Sequence, residues 1–213
     1  MFKNRKNAGH ELGKSLEQYK TLNPLVLALP PGGVIVGYHT AKYLDADFDI
    51  LLSNKLVYPN NPEAAFGAVT EDGSIYLAEF AKKDLVQETI DKIVANSMKE
   101  IDRLKAYLRD NKPLPDLTNR IVILVNDGIV TASVLQASII ACQKHEAQKV
   151  IVAAPVADKD IINQLRSMVD DITVLETYKR CRSIAQGYDD YPNLTDQDLK
   201  RIIDLWNDEH ING

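Results

Sequence analysis

Three stretches of this chain combine residue types that can hold a phosphorylated ligand. The first is Asn126-Asp127-Gly128-Ile129-Val130-Thr131-Ala132-Ser133, which follows the apolar run Arg120–Val125. Asp127 can accept hydrogen bonds from ligand hydroxyls or hold a hydrated Mg²⁺ through water. Gly128 lets the chain turn, Thr131 and Ser133 offer hydroxyls, and the backbone N–H groups entering the next helix form an anion cradle. A phosphorylated sugar needs that pairing of hydroxyl acceptors with phosphate donors. Taken singly, Asp-Gly is also a turn and Thr131 or Ser133 an N-cap, but those roles do not explain the whole set. The second stretch, Leu29-Pro30-Pro31-Gly32-Gly33, also lies between an apolar run and a helix. Its glycines permit close backbone approach, and a helix N-terminus there faces an anion; a plain tight turn is the competing explanation. The third is Ser53–Glu63, where Lys55 at the end of a strand puts a point charge within reach of a phosphate.

These residues need a scaffold that brings loop ends together, and the apolar pattern supplies one. Pro24–Leu29, Asp49–Ser53, Arg120–Val125, Lys149–Ala154 and Ile172–Glu176 are near-continuous in Val, Ile and Leu. Strands covered on both faces of a parallel sheet read that way. Helical spacing runs through Ala8–Tyr19, Val34–Leu44, Ser133–His145, Asp158–Met168 and Asp196–Asn207, the last opened by Thr195 and Asp198 as a capping box. The expected fold is therefore α/β, a central, mostly parallel sheet flanked by helices. Phe66–Ala78 reads as a hairpin turning at Glu71-Asp72-Gly73, and Glu79–Arg109 as one long helix with a single buried face. One domain over residues 1–213 is expected, with 66–112 as a hairpin and long-helix insertion. In such sheets ligands bind beyond the C-terminal ends of the strands, where the first two stretches fall.

Composition narrows the function classes. The 213 residues carry 25 Lys and Arg against 30 Asp and Glu, a net charge of −5, which disfavours nucleic acid as a partner. Two cysteines, Cys142 and Cys181, form no C-x-x-C pair, so neither a disulfide scaffold nor a zinc site is expected. No run reaches the length of a membrane span, and the start reads as an amphipathic helix instead of a signal peptide, so the expected setting is cytoplasmic with no membrane partner. Gly32 and Gly37 have Walker-A spacing, but Tyr38-His39 follow where Lys and Ser or Thr belong, and there is no G-x-G-x-x-G. No G-x-S-x-G elbow marks a hydrolase. The four histidines read as structural. Trp206 reads as packing, and Tyr188, preceded by Gly187, is the better candidate for stacking on a base.

In this order the three stretches resemble the type I phosphoribosyltransferases, most closely a bacterial branch whose members carry the family name by prediction. Pro30-Pro31-Gly32-Gly33 is similar to the family's pyrophosphate loop. Asn54-Lys55 with Pro59–Glu63 and Gly67-Ala68-Val69 resembles that branch's basic pair and Pro-rich stretch, and Asn126 through Ser133 its loop for ribose and 5-phosphate. Phe2–Gly9, Gly187-Tyr188 and Thr195–Leu205 are also similar. The resemblance implies Mg²⁺-dependent transfer of a 5-phosphoribosyl group from phosphoribosyl pyrophosphate to a nitrogen acceptor, and a homodimer. It implies Asp127 as the catalytic candidate, with Asn126, Gly128, Ile129, Val130, Thr131, Ala132, Ser133, Pro31, Gly32, Gly33 and Lys55 binding substrate. No side chain is expected to ligate metal directly, Asp127 acting through water. Four positions depart from the family pattern: Asn126 replaces an acid, Pro31 and Asn54 replace basic residues, and Ala132 replaces Gly. The same site therefore also suits a catalytically weakened relative that binds or senses a nucleotide or sugar phosphate.

Overall fold

The computed structural model describes residues 1–181 and 183–211, with the backbone alone at Ile211. In chain order, α1 (Arg5–Ser15) leads through a 3₁₀ segment (Glu17–Leu22) to β1 (Leu25–Ala28), α2 (Gly32–Leu44) and β2 (Asp47–Ile50). A second group follows: β3 (Ser53–Tyr58), β4 (Asn61–Thr70), β5 (Ile75–Leu77), the single turn α3 (Ala81–Asp84) and α4 (Gln87–Arg109). The chain then returns through β6 (Ile121–Val125), α5 (Ser133–Lys144), β7 (Lys149–Asp158), α6 (Lys159–Leu165) and β8 (Asp171–Tyr178). A 3₁₀ turn (Ile184–Gly187) and α7 (Asp196–Ile211) end it.

The central sheet has the order β2-β1-β6-β7-β8, and every neighbouring pair is parallel. Alternate residues of each strand serve two cores. Val26, Ala28, Ile123 and Val125 pack with α1, α2, α4 and α7 on one face. Leu25, Leu27, Val122 and Leu124 pack with α5 and α6 on the other. Two covered faces are why β1 and β6 are buried at every position. Chain order reverses between β1 and β6: after β1 the chain steps outward to β2, then crosses back to lay β6 on the opposite side. This places the loops after β1 and β6 side by side at the switch point of the sheet.

Three elements differ from the sequence expectation. The apolar run Asp49–Ser53 is shared: β2 ends at Ile50, and Leu51 and Leu52, both buried, carry the chain out of the central sheet. Leu51 N–H donates to Ala28 O, and Leu52 N–H donates to the Glu71 carboxylate at 3.0 Å. The hairpin Phe66–Ala78 is part of a three-stranded antiparallel sheet, β3-β4-β5, in which Ser53 pairs with Thr70 and Lys55 with Ala68. Lys55 therefore lies within a strand and not at its end. The long helix begins at Gln87, because Leu85 and Val86 are extended (ψ 141° and 149°) and Leu85 turns inward against the core.

The second sheet is tied to the first by buried charge. Arg109 at the end of α4 pairs with Glu71 and Asp49, and donates to Ile50 O at 3.0 Å. At the β4–β5 turn Asp72 accepts from Thr70, Ser74 and Lys144, and His145 lies 3.2 Å from the same carboxylate. These bonds outweigh its burial and hold Asp72 well below the usual carboxylate range.

His39 on α2 faces Lys6 and His10 of α1, Lys42 one turn on, and Glu209 of α7. Burial, reinforced by Lys6, Lys42 and His10 against the pull of Glu209, pushes its pKa down to about 4. In the unfolded chain it titrates near ~6.5. Its neutral form thus contributes stability that is present above pH ~6.5 and is lost as pH falls toward ~4. Urea midpoints for the wild type and His39→Gln at about pH 7 and about pH 5 are expected to show a steeper acid-side loss in the wild type. Parallel losses would show that His39 does not titrate in this way.

Candidate functional site

The loops after β1 and β6 meet because their parent strands are hydrogen-bonded neighbours ending in register, Ala28 opposite Val125. Leu29 N–H continues the ladder to Val125 O at 2.9 Å. Beyond this edge lies a cleft of about 210 Å³. Pro31 and Gly32 form one wall, Asn126, Asp127, Gly128, Val130 and Thr131 another, and Lys55 reaches it from the second sheet. The cleft thus unites three segments that lie far apart in the chain.

Four of the sequence-derived positions do not line it, each for a backbone reason. Ile129 is 1% exposed and continues the sheet: its N–H donates to Val156 O and its carbonyl accepts from Asp158. Gly33 donates its N–H to Leu29 O inside the first turn of α2, packed against Val125 O. Ala132 is buried, and its carbonyl accepts the first hydrogen bond of α5 from Gln136. Ser133 starts α5 with a hydroxyl oxygen that is buried and has no hydrogen-bond partner among the described residues.

Both helices that open at the cleft lack a capping side chain. The N-cap of α2 is Pro31 and that of α5 is Ala132, and neither first turn carries an acidic residue. Capping by Thr131 or Ser133, the ordinary explanation of those hydroxyls, does not occur. The first N–H groups of α5 are left for another acceptor, at the end of the helix where the macrodipole favours negative charge.

Asp127 is held from three directions. Its side chain is nearly buried, and Oδ2 accepts from Arg5 Nε at 2.9 Å and from the Tyr191 hydroxyl at 2.8 Å. The Arg5 guanidinium lies 3.8 Å over the Tyr191 ring and donates from Nη1 to Pro192 O. The Tyr188 hydroxyl donates to Asp127 O at 2.6 Å. Burial works against the charge on Arg5, but the bond and attraction from Asp127 prevail and raise its pKa. Burial first, and then Asp127, push Tyr191 up to about 12. Gly32 makes this arrangement sterically feasible, since a Cβ there would stand 1.7 Å from Asp127 Oδ2. Ile184 closes over Gly128 in the same manner.

Arg5 and Tyr191 were not among the sequence candidates. The resemblance covered Phe2–Gly9 and Gly187-Tyr188, but nothing in residue spacing says that these segments pair. In the fold Phe2 bridges Tyr188, with Phe2 N–H donating to Gly187 O at 2.7 Å. Tyr188 is 5% exposed and committed to Asp127, so its ring does not offer a stacking face. Trp206 packs between Tyr38 and Phe48, and His210 of α7 stacks on it.

The donor set does not make an all-protein Mg²⁺ site. Among the described residues no group of three or more His, Cys, Asp or Glu converges. Asp127 is the only carboxylate among the described residues that line the cleft, with Oδ2 already taken, and the Asn126 Oδ1 accepts from the Asp127 N–H at 2.9 Å. With one oxygen left, Asp127 would hold a hydrated ion only through water.

A cleft at the switch point of a parallel sheet is where open α/β folds place their ligands. No family model matches the chain. Two Mycobacterium tuberculosis proteins, each named "Putative phosphoribosyl transferase", are 32% identical over 210 residues, 96% of this chain and 46% of theirs. The chain spans about half the length of these curated relatives. A Thermus thermophilus protein of known crystal structure is 29% identical with a TM-score of 0.83, over 97% of this chain and 99% of that one. A Staphylococcus aureus hypoxanthine phosphoribosyltransferase shares the fold at 13% identity and a TM-score of 0.50, over 82% of this chain and 73% of that one. Sequence and fold agree with the resemblance carried by the loops: over nearly its whole length the chain is similar to proteins named as phosphoribosyl transferases, and it has the fold of a phosphoribosyltransferase of known structure. Among the described residues no helix is long and apolar enough to cross a membrane.

The clamp on Asp127 makes a graded prediction. Arg5→Met leaves a buried carboxylate without its cation and is expected to cost about 3–5 kcal/mol of unfolding free energy. Tyr191→Phe removes one bond to a charged group and is expected to cost about 1–3 kcal/mol. Chemical denaturation measures both, and equal effects would mean that Asp127 does not depend on Arg5.

Proposed function

We propose that this cleft binds phosphoribosyl pyrophosphate and that the protein transfers its 5-phosphoribosyl group to a nitrogen acceptor. The observation that carries the reading is the convergence of two uncapped helix N-termini, Lys55 and Asp127 on one cleft. The names of the mycobacterial relatives and the fold shared with the staphylococcal enzyme support the same class.

The chemistry follows from where charge is available. The first N–H groups of α5, with the Thr131 hydroxyl at their mouth, suit a terminal phosphate. Asp127, fixed by Arg5 and Tyr191, has an oxygen left to accept from a ribose hydroxyl. The Gly32 end of α2 and the Lys55 ammonium suit the diphosphate. In the transfer the acceptor nitrogen forms a bond to C1 of the ribose while the C1–O bond to diphosphate breaks. The electron pair leaves with diphosphate, which also takes the proton lost by the acceptor. Mg²⁺, if carried in with the diphosphate, would supply charge neutralisation of the leaving group. The chain's own share is to position C1 and to stabilise negative charge as it develops on the departing oxygen.

Thermal unfolding with phosphoribosyl pyrophosphate and Mg²⁺ is expected to show ligand stabilisation, ~2.7 kcal/mol at a hundredfold excess over Kd. Pyrophosphate release with a panel of nucleobases and amines reads turnover. Binding without release from any acceptor would overturn the transfer step, and absence of binding would overturn the whole reading.

Asn126→Asp adds a second hard oxygen beside Asp127 and keeps an acceptor for the Asp127 N–H. It is expected to tighten Mg²⁺-dependent binding several-fold, with little change in the absence of the ion. Isothermal titration at matched Mg²⁺ concentrations tests this, and unchanged affinity would remove Asn126 from the ligand loop.

A further inference from the structure

Away from the phosphate cleft, α1, α2 and α7 line an open depression of about 770 Å³. Lys6 and His10 stand one turn apart on α1, and His39 and Lys42 one turn apart on α2, and all four line it. Two glycines let the helices approach closely enough to bring these pairs together. A Cβ at Gly9 would stand 2.5 Å from Val36 O and 2.9 Å from His39 Cβ, and one at Gly13 2.7 Å from Tyr43 Cβ. The Thr40 hydroxyl donates across the same seam to Gly9 O at 3.1 Å. Gly32 opens α2 at the cleft, and Lys42 lies ten residues further on, about 15 Å along the helix. The two sites share no lining residue.

Basic side chains gathered on facing helices cost stability unless negative charge compensates them. No carboxylate among the described residues lines the depression. Glu209 of α7 comes nearest, but it is engaged by Lys42 at 2.9 Å and by the Tyr38 hydroxyl at 3.0 Å. Glu11 lies 3.7 Å from His10 and is held by Lys14 at 3.0 Å. Lys6 has no ion-pair partner among the described residues, so positive charge is left over. The low pKa of His39, set by burial and then by Lys6, Lys42 and His10, reflects the same field. In a chain of net charge −5 this is a local inversion of sign. The rest of the lining is largely apolar: Ile202 and Leu205 of α7, the latter 45% exposed, and the Tyr43 ring. Ammonium and imidazole N–H groups suit a phosphate, while the apolar and aromatic surface suits a ring. The volume is that of a small-molecule site.

We propose that the depression lined by α1, α2 and α7 is a second ligand site, which takes a phosphate monoester carrying an aromatic ring. Lys6, His10 and Lys42 hold the phosphate, and Tyr43, Ile202 and Leu205 cover the ring. The assignment is independent of the transfer reading, since none of these residues lines the cleft. It does share helices with the cleft: Lys6 follows Arg5, the partner of Asp127, on α1.

NMR signals of the His10 and His39 rings in the full chain report a ligand at this site and not at the cleft, and their titration gives its affinity. The probes are AMP, inorganic phosphate, adenosine and a Glu-rich hexapeptide, each added alone. AMP is expected to shift both histidines and to bind about fivefold or more tighter than each of the others. Lys6→Glu, at an exposed position, is expected to weaken AMP about fivefold or more, and Leu205→Ser about threefold. Lys55→Gln, which removes the cation of the cleft, is expected to leave this affinity within about twofold. Several results would overturn the assignment: no response of His10 and His39 to AMP, or binding of phosphate, adenosine or the peptide as tight as that of AMP. Unchanged affinity in the folded Lys6→Glu variant, or loss of the response in Lys55→Gln, would do the same.

Discussion

Asp127 sits on the ligand loop with its charge almost entirely removed from water, and the Arg5 guanidinium is what makes that tolerable. A buried ion pair adds little net stability over a well-packed apolar pair, yet removing one partner is costly because the other charge is stranded. The pair therefore acts as a constraint on assembly. Arg5 can reach Asp127 only if the start of α1 lies against the segment after β8, and Phe2 pairing with Tyr188 enforces that contact. Tyr191 then closes the ring by donating to the same carboxylate oxygen and covering the guanidinium. Two segments nearly the whole sequence apart are thus fastened to the loop after β6, and the position of that loop depends on both.

The same constraint limits how an acidic chain could hold an anion. With a net charge of −5, long-range attraction does not favour a phosphate. Arg5, whose guanidinium stands behind the cleft wall, is neutralised by Asp127. What the described residues leave is short-range: Lys55, the Gly32 N–H at the start of α2 and the first N–H groups of α5. Backbone donors cost no rotamer entropy to hold in place, because the helices and the sheet edge already fix them. Pro31 at the N-cap of α2 and Ala132 at that of α5 contribute no competing side chain, but Gly33 and Val34 in α2 already donate to Leu29 O and Pro31 O, so the first turn of α5 is the more open of the two.

The sequence was legible where one physical requirement dominated a segment. Strands β1, β6 and β7 are apolar on both faces because both faces are covered, and their runs said so without ambiguity. The meeting of the loops at their ends was legible too, because neighbouring strands of a parallel sheet bring the loops that follow them together. Legibility failed where two requirements shared a run. Leu51 and Leu52 are as apolar as any strand residue, but their burial serves the step between two sheets. Leu85 and Val86 break a helical pattern without Gly or Pro, through a tertiary contact that local spacing does not encode. Arg5 and Tyr191 were invisible for a related reason: each looks like an ordinary surface residue until topology brings the chain ends together.

The departures of this loop from the family pattern can be weighed by what each side chain does. Asn126 accepts the Asp127 N–H through Oδ1, a task an aspartate would perform equally, so the amide preserves the geometry of the turn while giving up a charge. Pro31 gives up a cation but sits in αR geometry at the start of α2, where a missing N–H costs nothing. Ala132 carries a Cβ that is accommodated in the core beside Leu135 and Ile139 and does not line the cleft. Each change subtracts a charge or a little space and leaves the backbone donors where they were. Under the proposed transfer, binding would rest on those donors, and stabilisation of a departing diphosphate would fall mainly to Lys55, the one basic side chain among the described residues lining the cleft.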